Sequence, residues 1–122
     1  MSAEFWAAVE RIREHDARFA RDAYAFVMDS LDFTMRRVGE RRHLSAEELV
    51  RGLCANARNR FGLFAYTVVE KWGLRTSDDV GDVVFQLIDA GILSRQESDS
   101  REDFDGVLDF REALDAASLE TE

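Results

Sequence analysis

A mainly helical domain that closes with a C-terminal β-hairpin is the fold class this sequence predicts, and three observations predict it. Apolar residues recur at steps of three and four from Phe5 through to Ile88. Glycines and capping residues punctuate that periodicity at Gly39, Ser45, Gly62, Gly73 and Gly91. Beyond Gly91 the pattern shifts to two short extended candidates, Ile92 to Glu97 and Asp105 to Phe110, separated by a polar stretch from Ser98 to Phe104. A chain of 122 residues supports one hydrophobic core, and no linker-like or low-complexity stretch divides it. One domain over 1–122 is therefore expected, comprising a helical pair in 1–44, a compact unit in 45–110, and a short helix with an acidic tail in 111–122.

Each element has its own signal. Phe5, Trp6, Val9 and Ile12 fall on one helical face between Ser2 and Glu14, which predicts a short amphipathic helix packed as an N-terminal lid. Tyr24, Val27, Leu31, Met35 and Val38 form a second stripe, and the helix from Asp22 to Arg37 should stop near Gly39. Ser45 followed by Glu48 is a capping box that opens a third helix, whose inner face is Leu49, Leu53, Cys54, Ala57 and Phe61. Phe64, Ala65, Val68 and Trp72 suit the inner face of a fourth, shorter helix ending at Gly73. Thr76 or Ser77 caps a fifth, with Asp78, Asp79 and Asp82 near its N-terminus, where the helix dipole favours negative charge. Its stripe is Val80, Val83, Val84, Leu87 and Ile88, and Gly81 marks either a close approach or a frayed first turn. A last helical turn is expected around Leu114.

Charge divides the chain unequally. The total is -9, yet residues 1–44 are neutral, residues 45–75 carry +2 and residues 76–122 carry -11. All the excess acidity sits in the last third, which suggests a partner of opposite sign, an internal electrostatic contact, or simply a solvated face. No apolar run approaches the ~20 residues of a membrane span, and Met1-Ser2-Ala3-Glu4 lacks a secretory pattern, so a soluble, cytoplasmic protein without a membrane partner is expected. The single Cys54 forms no internal disulfide, and its place on an apolar stripe makes it a small buried hydrophobe rather than a nucleophile.

Two resemblances follow from local runs. Trp72-Gly73-Leu74-Arg75-Thr76-Ser77-Asp78-Asp79-Val80 leading to Leu87-Ile88-Asp89-Ala90-Gly91-Ile92-Leu93 resembles the turn, recognition helix and wing entry of winged-helix domains. The resemblance implies a winged-helix-like three-helix unit over 45–110, with the hairpin as wing. A second likeness involves Arg42-His43-Leu44-Ser45-Ala46-Glu47-Glu48-Leu49, the Asp-Ala-Gly-Ile-Leu run ending at Leu93, and Ser100-Arg101-Glu102-Asp103-Phe104. These stretches look like signatures of a family of small bacterial proteins without an assigned function, which implies no activity.

Winged-helix likeness implies DNA binding as one alternative, a transcriptional regulator with the Thr76 to Ala90 helix in the major groove. The residues oppose it. That helix holds no Lys, Arg or Asn, only Gln86, while Asp78, Asp79, Asp82 and Asp89 would approach phosphate. Winged helices without a basic face often serve as protein-interaction modules. The expectation is therefore a non-enzymatic interaction or regulatory module whose unknown protein partner meets the acidic face of Asp78, Asp79 and Asp82, or the basic patch of Arg36, Arg37, Arg41 and Arg42. In a blander account those arginines cap helix carbonyls or pair with the acidic third of the same chain.

Calcium supplies a further alternative. Numbered from Arg101, the run to Glu112 places Asp103, Asp105, Asp109 and Glu112 at EF-hand ligand positions, with Gly106 at the turn. Arg101 stands where the first carboxylate belongs, and too few residues precede it for an entering helix. His15 and His43 match no metal spacing, and there is no phosphate loop, nucleophile elbow or Cys and His pairing. No cofactor or catalytic residue is expected.

Overall fold

A computed structural model describes residues 1–96 and 99–115. Its helices are α1 (Ala3–His15), α2 (Arg21–Val38), α3 (Ala46–Phe61), α4 (Ala65–Lys71), α5 (Ser77–Asp89) and α6 (Phe110–Ala113), with 3-10 turns at Gly62–Phe64 and Arg101–Phe104. The start signals operate as physical chemistry requires. Ser45 Oγ accepts the Glu48 N–H at 3.1 Å, and the Glu48 carboxylate accepts the Ser45 N–H at 2.9 Å, which satisfies two orphan donors of α3. Gly39 ends α2 in the left-handed region, at φ +86°, and its N–H donates to the Met35 carbonyl.

Helices α2 and α3 form the central pair, with α5 packed against both, α1 laid across α2 and α5, and α4 beside α3. Val9, Tyr24, Val27, Val50, Leu53, Val69, Leu74, Val80, Val83 and Leu87 are sealed from solvent where these faces meet. At one point α2 and α3 approach so closely that a Cβ on Gly52 would sit 1.8 Å from Thr34 Oγ1. Gly73, at φ +99°, turns the chain between α4 and α5 against the Arg18 carbonyl, which a Cβ would meet at 2.6 Å. Phe26, Phe61 and Trp72 stack as a three-ring cluster with centroids 5.4–5.8 Å apart.

The predicted β-hairpin is absent, and with it the wing of the winged-helix-like unit over 45–110: the described residues contain no β-strand, only a single bridge between Thr76 and Asp109. Local hydrogen bonding explains the difference. Ile92 and Leu93 both donate to the Leu87 carbonyl, wrapping the chain over the end of α5 instead of extending it. Ser100 and Asp103 repeat the Ser45 and Glu48 device in miniature, closing a 3-10 turn that buries Phe104. Asp109, the extended N-cap of α6, and the residues beside it instead pair with the segment before α5. Ser77 N–H donates to the Leu108 carbonyl at 3.1 Å, Phe110 N–H to the Arg75 carbonyl at 3.0 Å, and the buried Ser77 Oγ accepts from Val107 and Leu108.

Two smaller expectations also change. Phe64, assigned to the inner face of the fourth helix, is 71% exposed, because the chain adopts a 3-10 turn there and α4 starts one residue later. Gly81 is a close approach: a Cβ would lie 2.7 Å from Phe104 Cβ. The turn around Leu114 is α6, with Leu114 as its buried C-cap, while the acidic tail lies outside the described residues.

Candidate functional site: an apolar pocket under a polar clasp

The acidic triplet does not present free carboxylates. Asp78 Oδ1 accepts the Gly106 N–H at 3.0 Å, and Asp79 Oδ2 accepts from Arg75 and Thr76 as part of the α5 cap. Asp82 is paired twice, with Arg101 Nε at 2.6 Å and Arg18 Nη1 at 3.2 Å. The internal contact considered for the acidic third thus exists, with Arg18 reaching Asp82 from outside that third and Arg101 from within it.

Within that patch, Arg36 pairs with Asp32 one turn earlier, and the Arg37 guanidinium lies 5.5 Å from the Phe33 ring centre. Arg42 bridges Glu40 and Glu48 and donates to the His43 carbonyl, while Arg41 is exposed. Arg42 holds the Glu48 carboxyl down to about 2, helped by the Ser45 N–H.

Helix α5 has no open face for a groove of DNA. Asp89 is its only exposed residue, the rest being buried or half-buried, because α1, α2, α3 and the 3-10 turn at Arg101 surround it. Gln86, the one side chain suited to base readout, points inward: Tyr24 Oη donates to its Oε1 at 2.6 Å, and its Nε2 donates to Asp16 Oδ2 at 2.8 Å.

Three of the four acids of the calcium alternative are engaged in separate local bonds. Asp103 accepts the Ser100 N–H, Asp105 pairs with Arg101, and Asp109 caps α6 by accepting from Arg111 and Glu112. Among the described residues no three His, Cys, Asp or Glu side chains are placed to hold a metal ion. Cys54 is buried, which pushes its thiol up to about 11.

A pocket that no run of sequence announces lies between α2, α3 and α5 under a strap formed by residues 93–96 and 99–104. Its volume is about 170 Å³. Leu31 and Met35 come from α2, Leu49 from α3, and Val84, Phe85 and Ile88 from α5, with Leu93 and Phe104 as the roof. Phe85 and Phe104 meet edge to face with centroids 6.5 Å apart. The mouth is polar, since His43 Nε2 lies 2.8 Å from Asp99 Oδ1 and so clasps the loop before α3 to the strap. Asp99 Oδ2 also accepts the Gln96 N–H, and Arg95 donates to the Asp99 carbonyl. Ser45 and Ser100, which line the mouth, are engaged in caps and in contact with Glu102, so neither hydroxyl is paired with His43 as a nucleophile would be.

No family model, curated protein or solved structure matches this chain.

None of the described helices is long and apolar enough to cross a membrane. The pocket escaped sequence reasoning because its lining is drawn from segments more than fifty residues apart, and each apolar lining residue reads locally as ordinary core. His43 and Asp99 were the only available signal, and a lone His and a lone Asp in polar loops carry no spacing.

Proposed function

We propose that this protein is a non-enzymatic regulatory module that binds a small apolar molecule in the pocket between α2, α3 and α5. The observation that carries the proposal is a partly enclosed, mainly apolar space of about 170 Å³ beneath a strap that the buried Phe104 anchors and the His43–Asp99 and Arg101–Asp82 contacts tie down. Apolar cavities of ~150 Å³ bind benzene-sized molecules, and binding sites are typically apolar hollows with a few convergent polar groups. The strap also carries Asp103 and neighbours Asp105, so its order couples the pocket to the acidic surface that a protein partner would meet. DNA binding and calcium binding draw no comparable support, given the enclosure of α5 and the separate bonds of the loop carboxylates.

Methyl NMR tests the proposal directly. Toluene and indole should shift the Leu31, Leu49, Val84 and Ile88 methyl resonances, and Ala46→Phe, which adds a ring at the pocket wall, should abolish those shifts. Shifts confined to other methyl groups, or none at all, would reject the pocket as a ligand site.

A further inference from the structure

Helix α4 buries one face, with Ala65 and Val69 sealed in the core where it packs on α3. Its outer face carries Phe64, Thr67, Val68 and Lys71, residues three, four and seven apart that fall on one side of a helix. Phe64 is 71% exposed, Thr67 and Lys71 are exposed, and Val68 is half-buried. Leu63 beside them is 58% exposed, so the turn into α4 holds two adjacent large apolar side chains in solvent. Scattered apolar residues on a surface need no partner, whereas neighbours grouped on one face mark a contact surface. We propose that this face is a self-association surface, and that its occupant is a second copy of this chain, the two α4 helices lying antiparallel about a two-fold axis.

Two properties of the face select a copy of itself. The first is self-complementarity. Phe64 stands at one end and Lys71 at the other, two helical turns apart. An axis between Thr67 and Val68 therefore sets each Phe64 ring against Lys71 of the other copy. The ring face attracts the ammonium, and the methylene stem of the lysine covers the ring. Lys71 has no ion-pair partner among the described residues, while its neighbour Glu70 turns to Arg75 at 3.9 Å. The second property is charge. Two chains of -9 each repel where their acidic surfaces meet, but residues 45–75, which include the whole of this face, carry +2. Helix α4 also packs chiefly on α3 rather than on α5. Contact through α4 thus joins the least acidic parts of the two copies, whereas contact through α5 or the strap would bring their acids together. One short helix and its leading turn give an interface of small area, which sets the dissociation constant of the dimer on the order of 100 µM.

Sedimentation equilibrium of the full chain, from about 10 µM to about 1 mM, should show monomer and dimer and no larger species. Phe64→Ser, outside the core, and Lys71→Glu, which sets an anion against the ring, should each raise the dissociation constant about tenfold or more. Val38→Ser, at the exposed apolar end of α2, should leave it unchanged. In a mixture of isotope-labelled and unlabelled chain, intermolecular NOEs should join the Phe64 ring to the Lys71 methylenes. A chain that stays monomeric at the highest concentration, or a dimer that Phe64→Ser leaves as tight as before, overturns the proposal. Association that continues past the dimer, or a dimer without those NOEs, overturns the two-fold antiparallel arrangement.

Discussion

Asp16 shows how much one side chain organises. It accepts four hydrogen bonds from the Arg18 side-chain nitrogens and backbone, and another from Gln86, so it fastens the α1–α2 junction to α5. Arg18 holds its carboxyl down to about 2 from the ordinary 3.8. A folded value below the unfolded one means that this stabilisation is present in full above about pH 4 and is lost as pH falls toward 2. Urea unfolding of the wild type should therefore weaken through that window. Asp16→Asn should be less stable by about 1 kcal/mol at neutral pH, and its decline below pH 4 should be shallower. Phenylalanines give a second contrast. Phe104→Ala opens a core of which Phe104 is only 5% exposed and should cost about 3–4 kcal/mol, whereas Phe64→Ser should change stability by less than about 0.5 kcal/mol.

At the scale of elements, two glycines set how closely the helices pack. Gly52→Ala drives a methyl into Thr34, and Gly81→Ala drives one into the Phe104 side chain. Each should cost roughly 1–3 kcal/mol in chemical denaturation. Thr34→Ala removes the nearest obstructing atom, so combining it with Gly52→Ala should recover part of the loss, and strictly additive destabilisation would contradict the contact. The same scale marks the limit of what was legible in the chain. Helices with a cap at one end and a glycine at the other, such as α3 between Ser45 and Gly62, were located to within a residue or two because caps are local chemistry. The stretch after Gly91 was misread because its alternation is real but its pairing partner is not local. Leu108 and Phe110 join Arg75 and Ser77 across about thirty residues, and the Ser100 and Asp103 turn signal was passed over as polar loop. The pocket lay further out of reach, because a hollow between three helices is a property of their packing rather than of any one stripe.

For the whole molecule, the uneven charge acquires a structural meaning. Acids of the last third are taken up within the described fold: Arg18 and Arg101 receive Asp82, Arg101 also receives Asp105 and His43 receives Asp99, while backbone N–H groups receive Asp78, Asp79 and Asp103. Exposed ion pairs of this kind contribute little each, so the strap is held mainly by the burial of its Phe104, and the segment that follows it by the burial of Phe110 and Leu114. Hydrogen exchange should rank the molecule accordingly. Amides of residues 94 and 95 should exchange within the dead time, those of α3 and α5 should approach the global unfolding limit, and a pocket ligand should slow the strap more than α4.

The ties from Ser77 to Val107 and Leu108, and from Arg75 to Phe110, give the segment beyond Arg95 a hold of its own on the helical body. Cleavage beside the exposed Arg95 would leave two pieces whose interface contains that backbone pairing, the Ser77 hydroxyl and three buried apolar side chains worth ~1.5–3 kcal/mol each. The fragments should therefore co-elute as a complex after a limited tryptic cut. Expressed separately, they should reassemble, so that this position is a natural place to split the protein into complementing halves.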